Sequence, residues 1–126
     1  MIAKLSALPL CLAALAVVAP LPAAVPVHLT GNSAADETLR KDIVQTITYF
    51  GSALDCPAPS EIRATMLNSS MIPSSLRKPS LNTAYEQWEA TFCGKKHKFF
   101  VSFWPDPAGG SFLSVQHPYP ANAPSR

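Results

Sequence analysis

Few side chains in this sequence belong to types that do chemistry, so their spacing decides what is possible. His97 and His117 lie on two β-patterned segments, and an antiparallel register makes them cross-strand neighbours. Two imidazoles with a nearby carboxylate can hold a metal ion, and one alone can act as a base. No third ligand is placed by the sequence, because Glu86 falls at the far end of the same strand face. The competing reading is two partly buried histidines satisfied by backbone or water. A small metal-dependent or hydrolytic enzyme using His97 and His117 is thus the alternative function. No catalytic residue, metal or cofactor is assigned to it.

Lys95, Lys96, His97 and Lys98 form a basic cluster at a hairpin tip. Such a cluster can meet anionic lipid or an acidic partner. A few exposed lysines also simply protect a sheet edge. Asp106-Pro107-Ala108-Gly109-Gly110 superficially resembles a phosphate-binding loop, but no helix start follows it. It therefore lacks the dipole and amide nest of such loops and is a turn. Serine-nucleophile, HExxH and EF-hand motifs are absent.

The elements that must carry these residues fit in one small domain. The chain has 126 residues, a net charge of +2 and 14% charged residues. It is too short for a barrel enzyme or a full dinucleotide-binding fold, and it has no strongly basic nucleic-acid footprint. Residues 1–24 have the pattern of a secretory signal peptide: Lys4, an apolar run from Leu5 to Ala19, then Pro20-Leu21-Pro22-Ala23-Ala24. Cleavage after Ala24 is expected, with Ala16 as the alternative site. Pro9, Pro20 and Pro22 shorten the run below what a spanning helix needs. No membrane span is therefore expected in the mature chain. Cys11 sits inside the apolar run, preceded by Leu8-Pro9-Leu10, and lacks the context of a lipidation site.

Removing that segment leaves Cys56 and Cys93, which in an exported chain make one disulfide. There is no CxxC motif and no histidine at ligand spacing from Cys56. Loop-closure entropy assigns the bridge roughly 3–4 kcal/mol.

Residues 25–117 are expected to form a single α+β domain, with 118–126 as a Pro-rich flexible tail. Val25 to Asn32 is a lead-in, either a flexible arm or, because of Pro26, at most an edge strand. Ser33 to Phe50 is the clearest helix, with Ser33 as its cap, Leu39, Ile43, Ile47 and Phe50 on one face, and Gly51 as its stop. Asp55 to Pro59 is a rigid turn. Glu61 to Leu67 alternates as a strand but also suits a short helix. Asn68 to Ser80 is a loop with Arg77 and Lys78 exposed, and Asn68-Ser69-Ser70 is a glycosylation sequon. Tyr85–Cys93, Lys96–Trp104 and Ser111–His117 are strands joined by hairpin turns at Gly94-Lys95 and Pro105–Gly109.

These turns set Trp88 opposite Val101, Phe99 opposite Val115 and His97 opposite His117. One sheet face then carries Trp88, Ala90, Phe92, Phe99, Val101, Phe103, Leu113 and Val115, and the helix covers it. The other face carries Glu89, Thr91, Lys96 and Lys98 at one end. Tyr85, Phe100, Trp104 and Phe112 gather at the other, with Tyr85 opposite Trp104. Either Val25–Leu29 or the 68–80 loop covers these aromatics as a second small core, or they form a contact surface. Cys93 also points to this face, which leaves Cys56 to reach it around the sheet edge.

Tyr85-Glu86-Gln87-Trp88, Cys93-Gly94, Phe99-Phe100-Val101-Ser102-Phe103, Asp106, Gly109-Gly110, Phe112 and Val115, with upstream Asp55-Cys56-Pro57, form a pattern. It resembles small uncharacterised proteins exported by proteobacteria. The resemblance covers about half of the chain beyond the signal. It implies a bacterial envelope location and a shared disulfide, and it carries no activity or catalytic residues.

The expected fold is α+β: one N-terminal helix on a three- to four-stranded antiparallel β-meander with one disulfide. The expected function is an exported binding module, periplasmic or secreted. It would meet a protein or other envelope component through the outer sheet face. Tyr85, Phe100, Trp104 and Phe112 are the anchors, with Lys96 and Lys98 at the rim. A partnerless structural role in the envelope is the third possibility.

Overall fold

The computed structural model describes residues 27–56 and 58–126. The expected signal peptide therefore lies outside the described residues. Eight elements follow in order: strand β1 (His28–Gly31), helix α1 (Glu37–Ser52), strand β2 (Glu61–Met66), two single 3₁₀ turns (Ser69–Met71 and Ser74–Leu76), and strands β3 (Ala84–Phe92), β4 (Lys95–Pro105) and β5 (Ser111–Gln116). The fold is α+β, with one five-stranded sheet in the order β1-β2-β3-β4-β5.

The sheet is mixed, which corrects the expected three- to four-stranded antiparallel meander. β1 runs parallel to β2, while the other three pairs are antiparallel. Parallel neighbours need a crossover connection, and α1 is that crossover. The helix is thus part of the sheet's connectivity as well as its cover.

Helix α1 starts later than its Ser33 signal because Ser33 is engaged elsewhere. Asp36 is the N-cap, and its carboxylate accepts a hydrogen bond from the Leu39 amide at 2.8 Å. Leu39, Ile43 and Ile47 are buried, as their spacing requires, and Phe50 packs at the margin. Gly51 lies inside the last turn and is not the stop. A Cβ there would come within 2.2 Å of the Phe92 ring and 2.9 Å of the Cys56 carbonyl oxygen. The glycine therefore serves a close approach of helix to sheet and to the disulfide segment.

Both hairpin registers differ from expectation by two residues. The first turn is Cys93-Gly94, so Phe92 pairs with Lys95, Ala90 with His97 and Trp88 with Phe99. Cys93 adopts φ 48° and Gly94 φ 78°, the backbone of a two-residue I′ hairpin turn. A cysteine was not the expected carrier of positive φ. Its place in the turn also removes the difficulty over Cys56: the two are bridged with Cα atoms 6.0 Å apart. In the second hairpin the loop is Asp106–Gly110. Pro105 pairs with Ser111, Trp104 with Phe112, and Val101 with Val115.

A shift of two leaves every side chain on its face. The helix-side core accordingly contains Trp88, Ala90, Phe92, Phe99, Val101 and Phe103, joined by Ile62, Ala64 and Cys56, with Leu113 and Val115 packed at its margin. The reverse face has its own smaller core of Leu67, Ile72, Tyr85 and Phe100, with Leu76, Tyr119 and Ala123 packed against it.

Candidate functional site

The four outer-face aromatics separate into two pairs with different fates. Tyr85 and Phe100 stack with centroids 6.0 Å apart and are 6% and 2% exposed. They are covered by irregular chain, so neither presents a contact surface. The two 3₁₀ turns aim Ile72 and Leu76 down onto them. Arg77 holds this cover by donating to the Ile72 and Ser69 carbonyls, at 3.0 and 3.1 Å. The Tyr85 hydroxyl accepts a hydrogen bond from the Lys78 amide at 2.8 Å.

Residues 118–126, expected to be a flexible tail, complete the cover. Tyr119 packs edge-on against Phe100 with centroids 5.8 Å apart, and its hydroxyl donates to the Pro124 carbonyl. Burial pushes the Tyr119 hydroxyl up to about 12. Gln87, buried on β3, acts as the tail's anchor: its carboxamide donates to the Arg126 carbonyl at 2.7 Å and accepts from the Arg126 amide at 2.9 Å. A proline-rich segment offers few amides, so a side-chain amide on the sheet substitutes for the missing backbone ladder.

Trp104 and Phe112 are the pair left uncovered. They are cross-strand partners on β4 and β5, with ring centroids 5.7 Å apart. Phe112 remains 46% exposed and Trp104 half-buried. The Lys78 ammonium lies 5.7 Å from the centre of the Trp104 ring, within reach of its negative face. The expected pairing of Tyr85 with Trp104 does not occur, since Tyr85 faces Ser102.

The basic cluster at the first hairpin tip is divided by the pleat. Lys96 lies 3.8 Å from Glu89 across the strand pair, and the Lys98 ammonium donates to the Ser125 hydroxyl at 2.8 Å. These lysines tie down strand and tail rather than edging the Trp104–Phe112 corner. His97 points to the other side, against Phe92 and Phe50.

His97 and His117 do come near each other, with centroids 5.9 Å apart. Both pack against Phe50, whose ring lies 5.9 Å from that of His97 and 4.3 Å from that of His117. Burial, and then the neighbouring His97, lower the His117 imidazole below its ordinary value. Neither ring makes a hydrogen bond or ion pair among the described residues, and no three potential metal ligands converge there. Together with Tyr49, Thr46 and Val115, His117 and Phe50 border an open groove of about 590 Å³ between the end of α1 and β5.

Glu86 is the polar residue whose role the sequence did not disclose. It is fully buried at the opposite end of the core face. Its carboxylate accepts hydrogen bonds from the Ser33 hydroxyl at 2.8 Å, the Ala34 amide at 2.6 Å and the Trp88 indole at 2.7 Å. This is a structural clamp between the segment entering α1 and the central strand. The available signal was a glutamate on a strand face otherwise made of Trp, Ala and Phe. Such a group demands donors.

Comparison of the chain with protein-family models, curated proteins and solved structures finds no match.

Proposed function

We propose that the protein is an exported binding module that meets a protein or other envelope component through the uncovered corner of its outer sheet face. The observation that carries this reading is the contrast within one set of aromatics. Tyr85 and Phe100 are sealed by two chain segments, whereas Phe112 is left 46% exposed beside Trp104. Large apolar side chains grouped at a surface mark interaction sites more often than isolated ones do. Trp104 and Phe112 are the anchors, and Lys78 is the polar group beside them. Export is supported by the Cys56–Cys93 bridge and by the signal-like pattern of residues 1–24. No helix among the described residues is long and apolar enough to cross a membrane.

The test is capture from envelope extract on the oxidised protein, with Phe112→Ala as the control. Phe112 is already half in solvent, so its truncation leaves the fold in place. Specific retention by wild type, weakened about 30-fold or more by Phe112→Ala, is the expected result for a hot-spot anchor. Retention that is indifferent to both Phe112→Ala and Lys78→Ala overturns this surface.

A further inference from the structure

The two edges of the sheet are built differently. The β1 edge is a strand of four residues that follows Pro26 and ends at Gly31, whose φ is 85°. Short strands and prolines are the usual protection of an edge. β5 has none of this protection. It is six residues long and contains no proline, glycine or charged residue: Ser111, Phe112, Leu113, Ser114, Val115 and Gln116. It pairs only with β4, and its outward backbone groups have no hydrogen-bond partner among the described residues. The tail does not shield it, because the chain after His117 turns inward over Phe100 towards Gln87.

Apolar side chains are exposed on both sides of that same edge. On the outer face it is Phe112. On the helix side it is the groove between α1 and β5, with Tyr49 81% exposed on its helical wall. From these observations we infer that β5 pairs antiparallel with β5 of a second copy, joining two sheets into one of ten strands.

Three features specify a second copy as the occupant. An antiparallel pair about a two-fold axis normal to the sheet matches each strand's donors and acceptors to themselves. It also keeps both helices on one side, so each copy's Tyr49 faces the groove of the other. The margin is electrically compatible with itself: β5 and the groove residues Thr46, Tyr49 and Phe50 carry no charge, and His117, which also borders the groove, is biased to its neutral form by burial and by His97, so self-pairing opposes no like charges. And the arriving strand is already ordered by its own sheet, which spares the ordering cost that an unstructured segment would meet. Six paired residues with a few side chains form a small interface, so a micromolar dimer is expected. In that dimer the two Trp104–Phe112 corners lie on one continuous outer face. The dimer and the partner-binding corner are nonetheless separate claims.

Sedimentation equilibrium of the oxidised protein, as recovered from its expression host, tests the inference between about 1 and 500 µM. Two variants address the two sides of the seam: Tyr49→Glu on the helix side, and Phe112→Lys with Gln116→Lys on the outer side. All three side chains are exposed, and circular dichroism checks that each variant is folded. The expected result is a wild-type dimer whose dissociation constant rises about tenfold or more in each variant, with concentration-dependent protection of alternate β5 amides from hydrogen exchange. A wild type that stays monomeric throughout overturns the inference and leaves the edge to a strand from another polypeptide. A dimer indifferent to both variants also overturns it, by placing the interface elsewhere. Tyr49→Glu lies away from the Trp104–Phe112 corner. Loss of the dimer with partner capture intact therefore separates the two claims.

Discussion

The two faces of one sheet are closed by different means. The helix side is covered by a regular element whose apolar residues recur at helical spacing, so Ile43, Ile47, Trp88 and Val101 reach zero exposure. The outer side is covered by two irregular segments, the 68–80 loop and the 118–126 tail, held by hydrogen bonds that involve the side chains of Arg77, Tyr85 and Gln87. A helix satisfies its own backbone and can cover a wide strip. Irregular chain must find a partner for each polar group, so it covers only where side chains such as Gln87 supply one. This difference leaves the outer corner at Trp104 and Phe112 bare.

The largest test of this contrast is Trp88→Ala. It removes the central ring under the helix, where neighbours cannot collapse, and also deprives Glu86 of a donor. A loss of about 5 kcal/mol in urea unfolding is expected. A loss under about 2 kcal/mol would mean that the helix side is not the main core. Replacing Cys56 and Cys93 together by Ala is next. The closed loop has a sequence separation of 37, and its release costs about 4 kcal/mol at an unchanged native circular dichroism spectrum.

Phe100→Ala is expected to cost less, about 3 kcal/mol, because the irregular cover can settle into the space. The same variant should raise hydrogen exchange at Tyr119 and Ala123 while leaving α1 unchanged. Equal acceleration in α1 would show that the two faces unfold as one.

Alkaline pH acts on the outer side through Tyr119. Tyr119 has its folded value raised to about 12, above the ordinary value of 10.0. Its contribution is therefore fully present below about pH 10 and is lost as pH rises towards 12. Stability should fall across that window in wild type and stay flatter in Tyr119→Phe. An identical fall in both would detach the effect from Tyr119. The smallest effect on stability is expected from Phe112→Ala, below about 1 kcal/mol in the same urea assay. A loss comparable to that of Phe100→Ala would make Phe112 part of a core and remove it from the contact surface.

Much of this architecture is legible in the sequence because it repeats. Alternation in β3, β4 and β5 assigns each residue a face, and the spacing of Leu39, Ile43 and Ile47 assigns the buried side of α1. What alternation cannot fix is the absolute pairing. A displacement of two residues is invisible to a period of two, so Trp88 opposite Val101 and Trp88 opposite Phe99 look equally good. The choice fell to the turn, where the disulfide-bonded Cys93 occupies a positive-φ position that composition alone would give to Gly or Asn. The packing of the tail is illegible for a related reason: its prolines signal the absence of regular structure, which says nothing about contacts such as those of Tyr119 with Phe100 and of Arg126 with Gln87.

By itself, then, the sequence determined the helix and its buried side, the three strands of the C-terminal meander, the composition of the main core and the cysteine pair. These depend on local periodicity and on simple counting. Only the tertiary structure decided the parallel pairing of β1 with β2, the donors that satisfy Glu86 and the register of both hairpins. It also decided which two of four outer aromatics stay uncovered. Each of those outcomes depends on segments far apart in the chain meeting at single hydrogen bonds and close contacts, and such meetings leave no periodic trace in the order of residues.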